Sequence, residues 1–203
     1  MKNRIIIAVV IVLIAIAGVV GIIYFASFHK ISVAFSPDVS GATVFKEKGE
    51  EIKKLTAAGE ISLQDGNYYI IPGGEKVSKD KIPFSVEGDS LDITLDPDYS
   101  SEFLKKALAG EQAAITAAAK KAFPLIAQSY SIGQGTLYGH GEWFGAILTQ
   151  NTDTRNEMDF YRIILHKEAG TWKVVQKPEL ALTSTEFKDV PAGVLNAVNQ
   201  LTQ

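Results

Sequence analysis

Residues 162–175 read RIILHKEAGTWKVV. Two apolar runs flank Glu168-Ala169-Gly170, the composition of a tight hairpin turn. EMDFYRIILHK at 157–167 is therefore one predicted strand and TWKVVQK at 171–177 the next. An antiparallel sheet follows from that hairpin. The neighbouring sequence has to supply the rest of the sheet and the layer that covers it.

Upstream, TLYGHGEWFGAILTQ at 136–150 reads as one long strand or as two halves with a bulge. Downstream, LALTS at 180–184 continues the sheet beyond a break at Pro178. Pro191 opens a short helix, PAGVLNAVNQL, with Val194, Leu195, Val198 and Leu201 on one side. A longer helix precedes the sheet. In DPDYSSEF at 96–103, Asp96-Pro97-Asp98 stops the preceding strand, Ser100 or Ser101 can cap a helix, and Glu102 suits its first turn. Leu104, Leu108, Ile115, Ala119, Ala122 and Ile126 then recur at helical spacing. Pro124 ends or kinks that helix near Phe123.

A long helix followed by a meandering antiparallel sheet resembles the cystatin-like and nuclear-transport-factor-2-like α+β arrangements. The hairpin RIILHKEAGTWKVV is similar to the strand-Gly-x-Trp-Lys-Val-strand ending of many domains of the second kind. The likeness covers about half the chain. Enzymes of that family use an acid-base residue in a curved-sheet pocket. None aligns with this sequence, so no catalytic residue is carried over.

Residues 30–95 have a different texture. ISVAFS at 31–36 alternates Ile31, Val33 and Phe35 with smaller residues, and ATVF at 42–45 is a second short strand. EISLQDGNYYII at 60–71 and IPFSVEGDSLDITL at 82–95 each place a turn signal between apolar stretches. Such spacing predicts a small β-sandwich. The stretches FSPDVSGATVF, ISLQDGNYYI and LDITL also resemble the PEGA family, and more broadly the carboxypeptidase-regulatory-like and carbohydrate-binding-like sandwiches. The family's Thr-Pro link is replaced by KEKGEEIKKLTAAGE. The resemblance implies an extracytoplasmic interaction or spacer module and supplies no catalytic residue.

The N-terminus is different again. Ile5 to Phe28 is apolar throughout except for Ser27. As a helix it would extend about 36 Å, against a hydrocarbon core of about 30 Å. Ala15-Ile16-Ala17 has the form of a signal-peptidase site, but cutting there would leave Gly18 to Phe28 as an apolar tail. The run is longer than a removable signal needs, so an uncleaved signal anchor is expected. Lys2 and Arg4 favour a cytoplasmic N-terminus, a bias weakened by His29 and Lys30. The expected organisation is a tail at 1–4, a transmembrane anchor at 5–28, a PEGA-like sandwich at 30–95 and an α+β domain at 96–203. The fold class expected is thus a single N-terminal transmembrane helix, a small antiparallel β-sandwich, and a C-terminal α+β domain. In that last domain a long helix packs on an antiparallel sheet and a short helix ends the chain. The location expected is a cell membrane, crossed once, with the bulk of the chain extracytoplasmic.

Composition narrows the partners. The net charge is −3, and setting aside Lys2 and Arg4 leaves 18 cations against 23 anions. An acidic body is a poor match for nucleic acid, whose binding depends on neutralising phosphates. With no cysteine there is no disulfide, thiolate metal site or cysteine nucleophile.

The most suggestive polar stretch is YGHGEWFG at 138–145. On a strand His140 and Glu142 leave the same face, and His166 lies on the neighbouring predicted strand. Two histidines and a carboxylate form a zinc set with an open position, or His140 is a general base tuned by Glu142. The helical His-Glu-x-x-His spacing is absent, and the plainer reading is polar residues on a sheet. Ser129, His140 and Asp159 supply triad residue types without a nucleophile elbow. Asp153, Glu157 and Asp159 sit in a loop whose spacing is not that of a calcium site. Glycines 133, 135, 139, 141 and 145 fit bulges or close backbone approach better than a phosphate cradle. Tyr68, Tyr69 and Trp143 are the candidate exposed aromatics; one of the two tyrosines at most is free to stack on a sugar, and Trp143, like Trp172, could contact a ligand although sheet or core packing is its default. Trp172 reads as sheet packing, and the lysines at 46, 48, 53 and 54 as a solvated face.

No cofactor or metal is called for. The expectation is a non-catalytic membrane-anchored protein that binds or positions an envelope protein or glycan, through exposed loops such as 46–60 and 150–157. Two rivals stand beside it. One is a ligand-binding or hydrolytic nuclear-transport-factor-2-like domain with a polar pocket near His140, Glu142 and His166. The other is a glycan-binding module using the sandwich.

Overall fold

The computed structural model describes residues 27–151 and 160–202. The chain forms two compact units divided after Pro97. In the first unit β1 (Phe28–Phe35), β4 (Gly59–Gln64) and β7 (Leu91–Leu95) make a three-stranded sheet, ordered β4-β1-β7. β2 (Gly41–Lys46), β3 (Glu51–Leu55), β5 (Gly66–Gly73) and β6 (Ile82–Val86) make a four-stranded one, ordered β3-β2-β5-β6. Apart from the edge strand β3, the strands have the period-2 pattern of a sheet buried on one face. Ile31 and Val33 of β1 are buried beside exposed Lys30 and Ala34, and Tyr68, Ile70 and Pro72 of β5 are buried in alternation. Two such sheets in one compact unit bury their apolar faces as a sandwich.

The chain passes between the sheets four times, and two of those crossings are at Asp65 and between β6 and β7. Asp65 ties these last two together. Its Oδ1 accepts from the Gly88 amide at 2.8 Å and lies 3.1 Å from His29 Nε2.

The second unit starts with α1 (Ser101–Ala122). Ser100 caps it, its hydroxyl accepting from Phe103 N at 3.3 Å, and Pro124 follows Phe123, where the helix ends. α2 (Pro124–Ser129) leads into β8 (Tyr130–Ile132), β9 (Thr136–Tyr138), β10 (Trp143–Gln150), β11 (Tyr161–Glu168) and β12 (Thr171–Val174). The sheet order is β12-β11-β10-β8, with β9 pairing β10 beside Trp143. α3 (Ala192–Asn199) closes the unit.

Six consecutive residues of β10, Trp143 to Leu148, are buried because both faces of the sheet are covered. Phe144, Ala146, Leu148, Ile163 and Leu165 pack with Ile115 and Ala119 of α1. Trp143 and Ile164 pack the other way, with Phe187, Val194, Leu195 and Val198. Gly145 permits the second contact, since a Cβ there would meet Val198 Cγ2 at 2.2 Å.

Several expectations are corrected. The chain is mostly sheet, with twelve strands among the described residues, and no helix among them is long and apolar enough to cross a membrane. The expected transmembrane helix falls almost wholly outside the described residues. Its proposed end is wrong, because Phe28 opens β1 and pairs with Gln64. The sandwich is not purely antiparallel, since β1 and β7 run parallel, Ile31 opposite Leu91 through Phe35 opposite Leu95. A parallel pair needs a long crossover, and here β2 to β6 supply it. The supposed loop 46–60 contains β3, an edge strand whose exposed Lys53 and Lys54 discourage further pairing. LALTS at 180–184 forms no strand, and the pairing there is a single bridge between Arg162 and Glu179. The Ala15-Ile16-Ala17 site, Asp153, Glu157, Asp159 and most of loop 150–157 lie outside the described residues.

Candidate functional site

The turn between β9 and β10 is Gly139-His140-Gly141-Glu142. The first three residues have positive φ, 49°, 52° and 78°. Glycine reaches that region without steric cost, whereas His140 is held there against its preference. Gly141 N donates to Tyr138 O at 3.2 Å and Glu142 N to Gly139 O at 3.0 Å, which closes the loop. His140 is therefore a loop residue and not, as its spacing suggested, a strand neighbour of Glu142.

This loop forms one wall of an open concavity of about 510 Å³, within the range of ligand pockets, about 300–1,000 Å³. His140, Glu142 and Trp143 line it from the hairpin, Asp98 and Tyr99 from the segment before α1, and Tyr138 from β9. The start of α3, Pro191 to Val194, closes the far side. The ring of His140 meets that of Tyr99 at 5.1 Å and 86°, an edge-to-face contact. Burial pushes the Tyr138 phenol upward, against a smaller lowering by the hydrogen bond with Thr136. A second concavity, about 550 Å³, adjoins the first and shares Leu104, Leu137 and Tyr138 with it.

His166 is placed elsewhere. It pairs with Trp143 across β11 and β10, and the two rings stack at 4.0 Å and 13°. Its Nδ1 lies 3.6 Å from Glu168 Oε1. His140 and Glu142 share a concavity that His166 does not line, so the structure divides the three-residue set. Among the described residues no group of three His, Asp or Glu can hold a metal ion.

The tyrosine pair divides as strand geometry requires. Tyr68 is core, its hydroxyl donating to Gln64 O at 2.9 Å and its ring stacked on Phe84. Tyr69 is on the outer face, stacked on Phe45 from β2 at 5.1 Å. On the β6 side, Lys81 Nζ sits 4.5 Å from the Tyr69 ring centroid. Phe45 and Lys81 thus both pack on the Tyr69 ring.

Sequence reading missed three polar groups that hold the second unit together. Glu111 of α1 accepts from Lys167 Nζ at 2.5 Å and from Trp172 Nε1 at 2.7 Å, clasping the helix to β11 and β12. Those two hydrogen bonds, that of Lys167 first, hold the Glu111 carboxyl below its ordinary range. Arg162 donates to Val198 O and Asn199 O at the end of α3 and to Leu180 O in the segment between β12 and α3, tying β11 to both. Asn199 bonds Leu182 twice, at 2.9 Å and 2.8 Å, as a strand neighbour would. A charged residue inside an apolar strand, as in Tyr-Arg-Ile-Ile, is the one sequence signal that points to Arg162.

No family model matches the chain, and no curated protein matches it. Among solved structures it is similar to a DUF3823 family protein from Bacteroides ovatus, at 13% identity and a TM-score of 0.25. That alignment covers 64% of this chain and 59% of the other, so the chain spans about three-fifths of that protein's length. A likeness of that size carries no argument about fold or function.

Proposed function

We propose that the chain is a non-catalytic protein of the cell envelope, kept at a membrane by the apolar run that precedes β1, with its body outside to bind or position a partner. The observation that carries this reading is the use made of polar side chains. Asp65, Glu111, Arg162 and Asn199 each join one element to another. The two histidines of the second unit are given to separate aromatic partners, Tyr99 and Trp143. These are structural uses, suited to folded units that each present surfaces. The test is purification of the full chain in mild detergent from its native membranes. A stoichiometric envelope partner that co-purifies supports the reading. A chain that emerges alone, with a resident metal or a turnover of its own, contradicts it.

A second reading is favoured by the concavity itself. It joins three aromatic rings to His140 and Glu142, which suits a domain that binds a small ligand. Its polar pocket would consist of His140 and Glu142 without His166.

A further inference from the structure

We infer that the concavity of the second unit binds an organic cation, a substituted ammonium group. The inference rests on the reading that this concavity binds a ligand, and it gives that ligand a charge and a class. Three aromatic residues, Tyr99, Tyr138 and Trp143, line the space, with one face of the Trp143 ring covered by His166. Aromatic faces carry negative charge density and attract ammonium groups, most strongly where water is partly excluded. Two carboxylates, Asp98 and Glu142, line the same space, and no lysine or arginine does.

Those carboxylates differ from the ion-paired acids of the second unit. Glu111, Glu168 and Glu179 each meet a lysine at 2.5–2.7 Å. Among the described residues, neither the Asp98 nor the Glu142 side chain takes part in an ion pair or hydrogen bond. Their charge is left for whatever enters.

One feature opposes a cation. The first turn of α3 lines the far wall, and its Pro191 cap offers no side-chain acceptor. A helix N-terminus carries about half a positive charge, which falls off within a turn. Two full negative charges outweigh it, so the concavity as a whole attracts cations. The carboxylates stand on exposed rims while the rings are half-buried or buried. A ligand with a charged, methylated or alkylated head uses both.

The shared chemistry has two possible sources, a free quaternary ammonium compound or the lysine side chain of a protein partner. The test is calorimetric titration of the detergent-solubilised full chain. The titrants are choline, its neutral isostere 3,3-dimethylbutan-1-ol, and Nα-acetyl-lysine N-methylamide. The expected result is that one of the two cations binds at least about tenfold more tightly than the neutral isostere. Glu142→Gln and Asp98→Asn should each weaken that binding by about threefold to tenfold, with unchanged tryptophan fluorescence. A preference for choline assigns the site to a free ligand, and a preference for the lysine derivative assigns it to a protein partner. If the neutral isostere binds as well as the cations, or the two variants bind as the natural chain does, the concavity is a ligand site but the inference about charge is overturned. If nothing binds at about 10 mM, the ligand-site reading fails with it.

Discussion

The strands β10 and β5 are both central, both eight residues long, and built in opposite ways. β5 buries alternate residues, whereas β10 buries six in a row. The first belongs to a sandwich whose sheets have one covered face each. The second belongs to a sheet with α1 on one side and α3 on the other. A strand covered on both faces has no polar side to present. It also has less tolerance, because a change in volume on either face meets packed neighbours.

That contrast predicts unequal costs for similar changes. Both tryptophans, Trp143 and Trp172, lie in the second unit, so their fluorescence in denaturant follows that unit alone. Phe144→Ala should lower its stability by about 3–5 kcal/mol, because Phe144 is fully buried against α1. Phe45→Ala, on the outer face of the sandwich, should cost about 1 kcal/mol and leave the tryptophan transition where it was. Equal costs at the two positions would remove the distinction between the sheets.

Gly145→Ala tests the second face of β10. The new methyl group would collide with Val198, at a cost of about 1–3 kcal/mol. Val198→Ala in the same chain should recover part of that loss, a coupling that a double-mutant cycle reads directly.

The clasp on the α1 side gives a pH dependence. Glu111 is held below its ordinary range by Lys167 and Trp172, so its stabilisation is complete above the usual carboxylate range. It is lost as pH falls through the lower folded value. The second unit of the natural chain should therefore lose stability over acid pH more steeply than Glu111→Gln does, by about 1 kcal/mol in all. Parallel profiles would show that the clasp contributes nothing.

The smallest effect expected is a gain. Ala169 and Gly170 form a two-residue turn with φ of 46° and 78° between Glu168 and Thr171, the shape in which Asn-Gly is preferred. Ala169→Asn should stabilise the second unit by about 0.5–1 kcal/mol, read from the same fluorescence transition.

What the sequence disclosed follows from which interactions are local. The turn at Ala169-Gly170, the cap at Ser100 and the stop at Pro124 are written within a few residues of where they act. The alternation of Ile31 with Val33 shows in the same way. β3 was hidden because Glu51-Ile52-Lys53-Lys54 is exposed at a sheet edge and resembles a loop in composition. The parallel pairing of β1 with β7 was hidden because it joins residues about sixty positions apart, and nothing local specifies it. Of the candidate site, His140 and Glu142 were close in sequence and share a concavity, yet positive φ at three residues in a row turned a supposed strand into a loop. His166 was misplaced because register decides its partner, and register opposed it to Trp143. Asp98, Tyr99 and the start of α3 come from distant parts of the chain and were not associated with the site.

The proposed role depends most on where the body of the chain stands. The direct measurement is protease treatment of intact cells producing the full chain, followed by carbonate washing of their membranes. The account predicts that the protease removes the two folded units from outside, and that the untreated chain stays in the washed membrane pellet. A body protected until the cells are broken, or a chain released by carbonate, would contradict it.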